Sequence, residues 1–597
     1  VRGVRAPFFA VLAALGLLGW WGSDQVRRQA WTTNDEPVHV KACRELRSGD
    51  GVVSNFEHPV LMKVFGAAGL GDARARRPID ETRNARTFFP ALFGLFVVVS
   101  GGWAALRAGP WAGAAVAALL VAEPTVRAHA ALVTSDLLIA LLLVGAAFLL
   151  DVSDTESRPG RAALVAAGVV YGLAMASKYS ALPFLPVFGA VAFLRLRRPR
   201  SPRLLGRRSV PRQKEKVAPP LPERLPVQRA AWLVLAAVVL PALATAWTVQ
   251  ETVMSSTSRE SLVRGIRAQF ADSQPLEKAL WMGENLPKGL AGYGAGLLWV
   301  RASSVPGFRP NYFFGRVSGK GNIAYFPVAL AVKLTTATVA MFLTALAVAL
   351  VVLGAAMRPR RAGEGASRAL RRGRLVGARA FVPGALALAY LGAASLSDVN
   401  IGVRHVLPVV PLGLVAAAGL FTTHFASHRR VLAAVLGVVV LAAAGEAFAA
   451  RGREVPFGNL LVGGPSGTHR VLGDSNVDWG EAQGALYERA RRGDLGRTAV
   501  VGLAFDPFEA NPLGLSWSDS IDESPADTAA VSVFMLDLGH ALKENTEGYR
   551  KIDWMKERIV PLIDAIERRA TSAEPLGDEY VLYRLGHPGG KPAAPSR

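Results

Sequence analysis

Along the first 450 residues, apolar runs alternate with short polar or basic breaks. A helix that crosses a bilayer needs about 20 predominantly apolar residues. Runs approaching or exceeding that length recur at 6–22, 87–106, 110–123, 132–151, 161–177, 181–195, 229–249, 323–354, 379–396, 405–423 and 430–449. The third run is short for a crossing and the eighth is long. Beyond 450 the pattern changes. Apolar stretches at 498–505, 529–535 and 580–585 predict strands, and helical periodicity at 480–492 and 552–569 predicts amphipathic helices. The fold class expected is a polytopic α-helical membrane protein of about 11 transmembrane helices with a small C-terminal extracytoplasmic α/β domain. The expected division is a membrane domain, 1–449, and an outward domain, 450–597.

Composition sharpens this picture. Of 597 residues, 51% are hydrophobic and 19% charged, and the formal net charge is +22. Most of that excess sits in two loops. Residues 195–229 carry 12 Lys/Arg and two Glu, and residues 357–379 carry eight Arg and one Glu. Both loops join apolar runs and contain few aromatics, so retention of positive charge in the cytoplasm explains them and nucleic acid is excluded as a partner. Threading the runs with the N-terminus inside places both loops, and the basic turn 424–430, in the cytoplasm. Loops 23–86 and 250–322, the turns 123–131 and 397–404, and the chain after 450 then face outward from a cytoplasmic (inner) membrane. Arg2 and Arg5 precede the first run as in a signal peptide, but no small-x-small cleavage pattern follows, so that run is read as a span. The single cysteine, Cys43, excludes an internal disulfide and a cysteine-based metal cluster.

Candidate chemistry collects at the outward ends of the spans. Asp35 and Glu36 open the first loop; either carboxylate suits a general base, and the alternative is an acidic helix start before Pro37. Glu57, His58 and Lys63 follow. His58 and Lys63 suit a phosphate, Glu57 and His58 suit part of a metal site, and an interfacial helix with a snorkelling lysine explains the same residues without either. Arg127, His129 and Asp136 lie near the next outward turn, where an ionisable residue at membrane depth asks for a partner; Arg127 or the Asp35 loop is the partner expected for Asp136. Lys178 breaks the positive-inside rule, and Arg404 and His405 repeat the pattern before the tenth run. A guanidinium there can hold a phosphate through its planar fork; interfacial anchoring is the plain alternative. Asp474 and Asp478 are read as turn and cap residues. A glycine-rich dinucleotide loop, a Walker loop, a Ser-centred elbow and HExxH are all missing, which excludes a cytosolic nucleotide site and a soluble hydrolase.

Seven motifs, in order, carry a family resemblance: NDEPVH at 34–39, FEHPVLMK at 56–63, AHAALVTSDLL at 128–138, ASKYSA at 176–181, NIAYFPVALAVKL at 322–334, VNIGVRHVLPVVP at 399–411 and NLLVGGPSGTHRVLGDSNVDWG at 459–480. Together they resemble the protein O-mannosyltransferase and lipid A aminoarabinose transferase superfamily, the GT-C glycosyltransferases. The resemblance implies an outward site that takes sugar from a polyprenyl-phosphate donor to an acceptor hydroxyl on a glycolipid, glycan or protein. Asp35 stands at the family's catalytic acid-pair position; Arg404, Lys178 and the 57–63 segment match stretches that line the site. The pattern departs at Ala131, where many O-mannosyltransferases carry arginine, and at His58, where aminoarabinose transferases tend to carry lysine. No WWD motif is present, which disfavours the oligosaccharyltransferase branch. A divalent metal ion is allowed in one branch and not in another. A flippase or transporter of lipid-linked sugars, or a non-catalytic binder of them, is the competing function.

Overall fold

The structure is a computed structural model that describes residues 5–71, 75, 77–197, 225–271, 275–357, 364–517 and 526–586. Most of the basic loop 195–229, and part of 357–379, lie outside the described residues.

Each apolar run is helical. Among the described residues, five helices are long and apolar enough to cross a membrane: Ala6–Gln29, Pro78–Ala108, Val227–Met254, Thr336–Gly354 and Arg429–Ala449. Their outward faces carry large apolar side chains such as Leu106, Trp232, Val438 and Leu441. Helix Arg429–Ala449 buries only Ala443 and Ala447, as expected of a helix solvated by lipid rather than by protein. The multi-pass helical membrane class is borne out.

One run differs from expectation. Residues 323–354 form two helices, Tyr325–Lys333 and Thr336–Met357, with a break at Leu334–Thr335. A break at membrane depth must find partners for the backbone groups it frees. Here Glu123 accepts from the Thr335 N–H at 3.0 Å, and Asn459 Nδ2 donates to the carbonyls of Ala331 and Leu334 at 2.6 and 2.8 Å. These partners lie more than 100 residues away, so the run itself gives no sign of them.

The first loop folds into short helices, Glu36–Ser48 and Val60–Leu70, and ends on Pro78–Ala85, the first segment of the long apolar helix, which a turn at 86–88 separates from Phe89–Ala108. Residues 250–322 form helices Arg259–Phe270, Leu276–Asn285 and Lys288–Ser303, then a hairpin of β1 (Asn311–Phe313) and β2 (Arg316–Ser318). Val52, Phe56 and Val60 pack with Leu262, Ile266, Phe270, Ala291 and Ala295, joining the two loops through a common apolar core. The approach is close at Gly296, where a Cβ would come within 2.0 Å of the Phe56 carbonyl and the Tyr179 hydroxyl.

The C-terminal region carries a five-stranded sheet. Its strands are β3 (Thr498–Val501), β4 (Leu515–Trp517), β5 (Thr528–Ser532), β6 (Ala570–Leu576) and β7 (Tyr580–Leu585), in the order β4-β3-β5-β7-β6. β3 runs parallel to β4 and β5, and β7 is antiparallel to β5 and β6. The expected strand 529–535 is corrected: β5 stops at Ser532 and helix Val533–Lys543 follows, because Phe534, Met535 and Leu538 turn onto the sheet with helical spacing. β4 and β6 carry largely exposed residues and lack the apolar run that marks a central strand.

Beside this sheet Asp478, Glu481 and Glu579 gather. Burial pushes all three carboxyls up, helped by Asp474 at Asp478, by Asp478 and Glu579 at Glu481, and by Asp578 and Asp478 at Glu579, which rises to about 7. A carboxyl raised on folding favours the folded state below its unfolded value and loses that advantage as pH rises through its folded value. Stability is therefore expected to fall between about pH 4.5 and pH 7, by on the order of 3 kcal/mol for Glu579. Thermal unfolding at pH 5 and pH 8 checks this, with Glu579→Gln flattening the difference.

Candidate active site

Asp35 occupies the N-cap position of helix Glu36–Ser48, yet its side chain makes no capping bond. Its carboxylate turns instead to Arg404, at 2.9 Å. Glu36, one residue on, points the opposite way. It is fully buried and pairs with buried Arg86, and it accepts from the N–H groups of Thr33 and Val133 at 3.0 and 2.9 Å. That saturation leaves Glu36 no capacity to take a substrate proton. Glu36 is a brace, and Asp35 is the acid that faces out.

Arg404 lies in the short 3-10 turn Val403–Val406. Residues 474–480 hold that turn from behind: the Val403 N–H donates to Asn476 Oδ1 at 3.0 Å, and Ser475 Oγ donates to the Ile401 carbonyl at 2.7 Å. The guanidinium stacks on Trp479, 4.0 Å from the ring centroid. It also reaches Asp136 at 3.9 Å, and Asp136 in turn pairs with Lys178. Lys178 comes from the turn between helices Arg158–Met175 and Ala181–Arg197. Tyr179 Oη donates to the Phe56 carbonyl at 3.0 Å and the Leu61 N–H to the Ala176 carbonyl at 3.0 Å, so this turn is tied to the first loop.

The result is a row of alternating charge: Asp35, Arg404, Asp136, Lys178. Exposure ranks its members. The Asp35 side chain is 31% exposed, against 15% for Lys178, 9% for Arg404 and 3% for Asp136. Burial opposes ionisation of Asp35, but Arg404 and then His39 outweigh it and hold the carboxyl below its ordinary value. Asp35 is thus an ionised, reachable carboxylate whose counterion is itself a phosphate ligand by chemistry.

The remaining candidates fall elsewhere. Lys63 is buried, and its ammonium donates to the carbonyls of Asn55 and His58 at 2.7 and 2.9 Å, so it fixes the 55–58 turn from beneath. Arg127 pairs with Glu454 at 3.1 Å and is not the partner of Asp136. His129 is buried edge-on to Trp479, and half-buried His405 lies against Phe326. Among the described residues, neither His129 Nδ1 nor His405 Nε2 has a partner. Asp474 and Asp478 accept from the N–H groups of Ser475 and Gly480 as turn residues do.

Glu57 and His58 join a residue the motif reading passed over, His39. Ligand-capable atoms of the three lie within 4.8 Å of one another. His39 Nδ1 is 2.6 Å from the Val133 carbonyl, His58 Nδ1 is 3.3 Å from Ser135 Oγ, and Glu57 Oε2 accepts from Trp299 Nε1 at 3.3 Å. Each side chain keeps one ligand atom free while the other is oriented, which is the arrangement that fits a divalent ion. His39 stands four residues after Asp35 in NDEPVH, one helical turn on, so helical spacing from Asp35 was the available signal.

Residues 81–250 match the family model for dolichyl-phosphate-mannose-protein mannosyltransferase. The superfamily resemblance is borne out over this stretch, which includes Asp136 and Lys178 and leaves Asp35 and Arg404 outside. No curated protein matches the chain. Among solved structures it is similar to ArnT from Cupriavidus metallidurans bound to undecaprenyl phosphate, at 14% identity over 98% of each chain and a TM-score of 0.42. It is also similar to the S. cerevisiae protein O-mannosyltransferase Pmt1-Pmt2 complex bound to the sugar donor, at 15% identity over 45% of this chain and 37% of that one, with a TM-score of 0.32. A third is the Archaeoglobus fulgidus oligosaccharyltransferase in complex with Zn and sulfate, at 10% identity over 96% and 73%, with a TM-score of 0.44.

Proposed function

We propose that this chain transfers a sugar from a polyprenyl-phosphate donor to an acceptor hydroxyl, at the outward face of the cytoplasmic membrane, with inversion at the anomeric carbon. The observation that carries the reading is the pairing of one reachable carboxylate, Asp35, with a cation suited to phosphate, Arg404. The headgroup of a lipid-phosphate sugar lies at the bilayer surface, where the ends of the spans bring this pair. The donor phosphate competes with Asp35 for Arg404, and Lys178 adds a second cation. Asp35, relieved of its counterion, becomes a stronger base. It takes the acceptor's proton as the acceptor oxygen bonds to the anomeric carbon. The bond from that carbon to the phosphate oxygen breaks, and its electron pair leaves with the phosphate, whose charge Arg404 stabilises. A single base on one side of the sugar favours direct displacement.

The domain division 1–449 and 450–597 and the cytoplasmic N-terminus belong to the same proposal; the first rests on the change of apolar pattern beyond 450 and the second on the charge of the breaks between spans. Labelled polyprenyl-phosphate sugar supplied to the purified chain in vesicles tests the whole. Transfer to an acceptor supports it, and retained stereochemistry overturns the displacement step. Movement of the donor across the vesicle wall without transfer would instead make the chain a transporter.

The His39–Glu57–His58 group is proposed to hold one divalent ion, which when bound would cross-link the first loop. Elemental analysis of purified protein is expected to find about one ion per chain, lost in His39→Ala and His58→Ala. Chelation should lower the thermal midpoint of the parent by several degrees, as loss of a ligand specific to the folded state does. A metal-free parent would remove the assignment.

A further inference from the structure

Above the Asp35–Arg404 pair lies a cation that the row of alternating charge does not include. Arg309 sits in the segment 304–310, between helix Lys288–Ser303 and β1. Two sets of contacts fix that segment. On one side, Asn311 Nδ2 donates to the Asp398 carbonyl at 3.0 Å and the Asn400 N–H donates to Asn311 Oδ1 at 2.8 Å, tying the hairpin to the loop that leads into Arg404. On the other side, residues 545–551 of the C-terminal region clamp it. Asn545 Nδ2 donates to the Val317 carbonyl at 2.6 Å, the Gly319 N–H donates to Glu547 Oε2 at 2.6 Å, and Lys551 Nζ stands 4.9 Å from the centre of the Phe308 ring. Gly307 has a left-handed φ of +78° and gives Tyr549 room; a Cβ there would meet its ring at 2.2 Å.

Arg309 is half-buried, and among the described residues it has no hydrogen bond or ion pair. Its charge acts on Asp35, Asp474 and His405 on one side and on Lys551 on the other. Partial desolvation where Lys551 packs over Phe308, together with the charge of Arg309, pushes its ammonium down. Two cations from separate segments are therefore held near each other, Lys551 over the ring of Phe308 and Arg309 next to it in the chain, and the charge of Arg309 reaches Asp35. Lys551 also lies in the first turn of helix Arg550–Arg569, whose positive end adds to the same field. Asp35 and Asp474 offset part of the Arg309 charge, and an anion bound between Arg309 and Lys551 would relieve the repulsion that the two cations exert on each other.

We propose that Arg309 and Lys551 form a second anion site, distinct from Arg404 and Lys178, that binds a phosphate monoester group. The inference rests on the transfer reading for its purpose: the group belongs either to the acceptor, held against Asp35, or to the lipid phosphate as it leaves. In both cases the C-terminal region completes the site, because Lys551 comes from it and Tyr549 sets the segment that carries Arg309.

Calorimetric titration of the full chain in nanodiscs tests this with glucose, glucose 6-phosphate and undecaprenyl phosphate as probes. The parent is expected to bind glucose 6-phosphate at least tenfold more tightly than glucose. Arg309→Ala should remove that preference, Lys551→Ala should reduce it, and Arg309→Lys should keep most of it. Loss confined to glucose 6-phosphate assigns the site to the acceptor; a parallel loss for undecaprenyl phosphate assigns it to the leaving lipid phosphate. A parent that does not distinguish glucose 6-phosphate from glucose, or affinities unchanged in R309A and K551A, would overturn the proposal. Lys551 is exposed, so K551A reports even where R309A folds poorly. A parent that binds both phosphates and transfers no sugar refutes the transfer reading and leaves the anion site standing.

Discussion

Replacing Asp35 by asparagine is expected to lower the rate of sugar transfer by about 10²–10⁴-fold, the range associated with loss of a general base. The amide keeps the size of the side chain and an oxygen for Arg404, but it cannot accept the acceptor's proton. It also removes the negative charge that competes with the donor phosphate for Arg404. Donor affinity should therefore hold or rise as turnover falls. Single-turnover transfer from labelled polyprenyl-phosphate sugar, read beside equilibrium binding of the same donor, separates the two effects. Asp136→Asn is the control. Asp136 is buried between Lys178 and Arg404, so its loss should lower stability and donor binding together. Undiminished transfer by D35N would falsify the assignment of the base.

The membrane class, and the gathering of Asp35, Asp136, Lys178 and Arg404, were legible for one physical reason. Charges at the ends of apolar helices are costly to keep, so they stand out against their surroundings. The division of labour between Asp35 and Glu36 was not legible. The two are adjacent at a helix start, and which of them faces outward is decided by Arg86, fifty residues further along the chain. Lys63 was open for a related reason. A lysine on a short apolar helix reads either as a phosphate ligand or as snorkelling towards water, and only the turn of residues 55–58 over it shows where its ammonium goes. Arg309 was invisible because nothing near it in sequence is unusual. Its position depends on contacts with residues 398–400 and 545–551.

The brace beneath Asp35 sets the second large expectation. Arg86 donates to Glu36 through Nε at 2.7 Å and Nη2 at 2.5 Å, and to the carbonyls of Arg27, Ala30 and Trp31 at 3.2, 2.8 and 2.7 Å. Both side chains are fully buried. Arg86→Ala would leave an unpaired carboxylate and three carbonyls without that donor. The expected loss of stability is about 3–5 kcal/mol, the usual cost of removing one partner from a buried pair. Burial opposes ionisation of Glu36, and Arg86 outweighs it, helped by the Thr33 and Val133 N–H groups, so the carboxyl sits below its ordinary value. The pair therefore stabilises the fold above the unfolded value near 4.5, and that contribution fades as pH falls through the lower folded value. In R86A the isolated carboxyl should take up a proton instead. The deficit relative to the parent should then shrink as pH is lowered from 7 towards 5, and Glu36→Gln in the R86A background should recover part of it at pH 7. Unfolding midpoints of the parent and R86A at both pH values give this difference directly, with the Asp478–Glu481–Glu579 contribution common to both and cancelling. Transfer should also fall in R86A although Asp35 and Arg404 are intact, because the 27–36 segment that aims Asp35 loses its anchor. A constant deficit across that pH range would mean that Arg86 acts through packing and its carbonyl bonds alone, and that Glu36 is not the charge it neutralises.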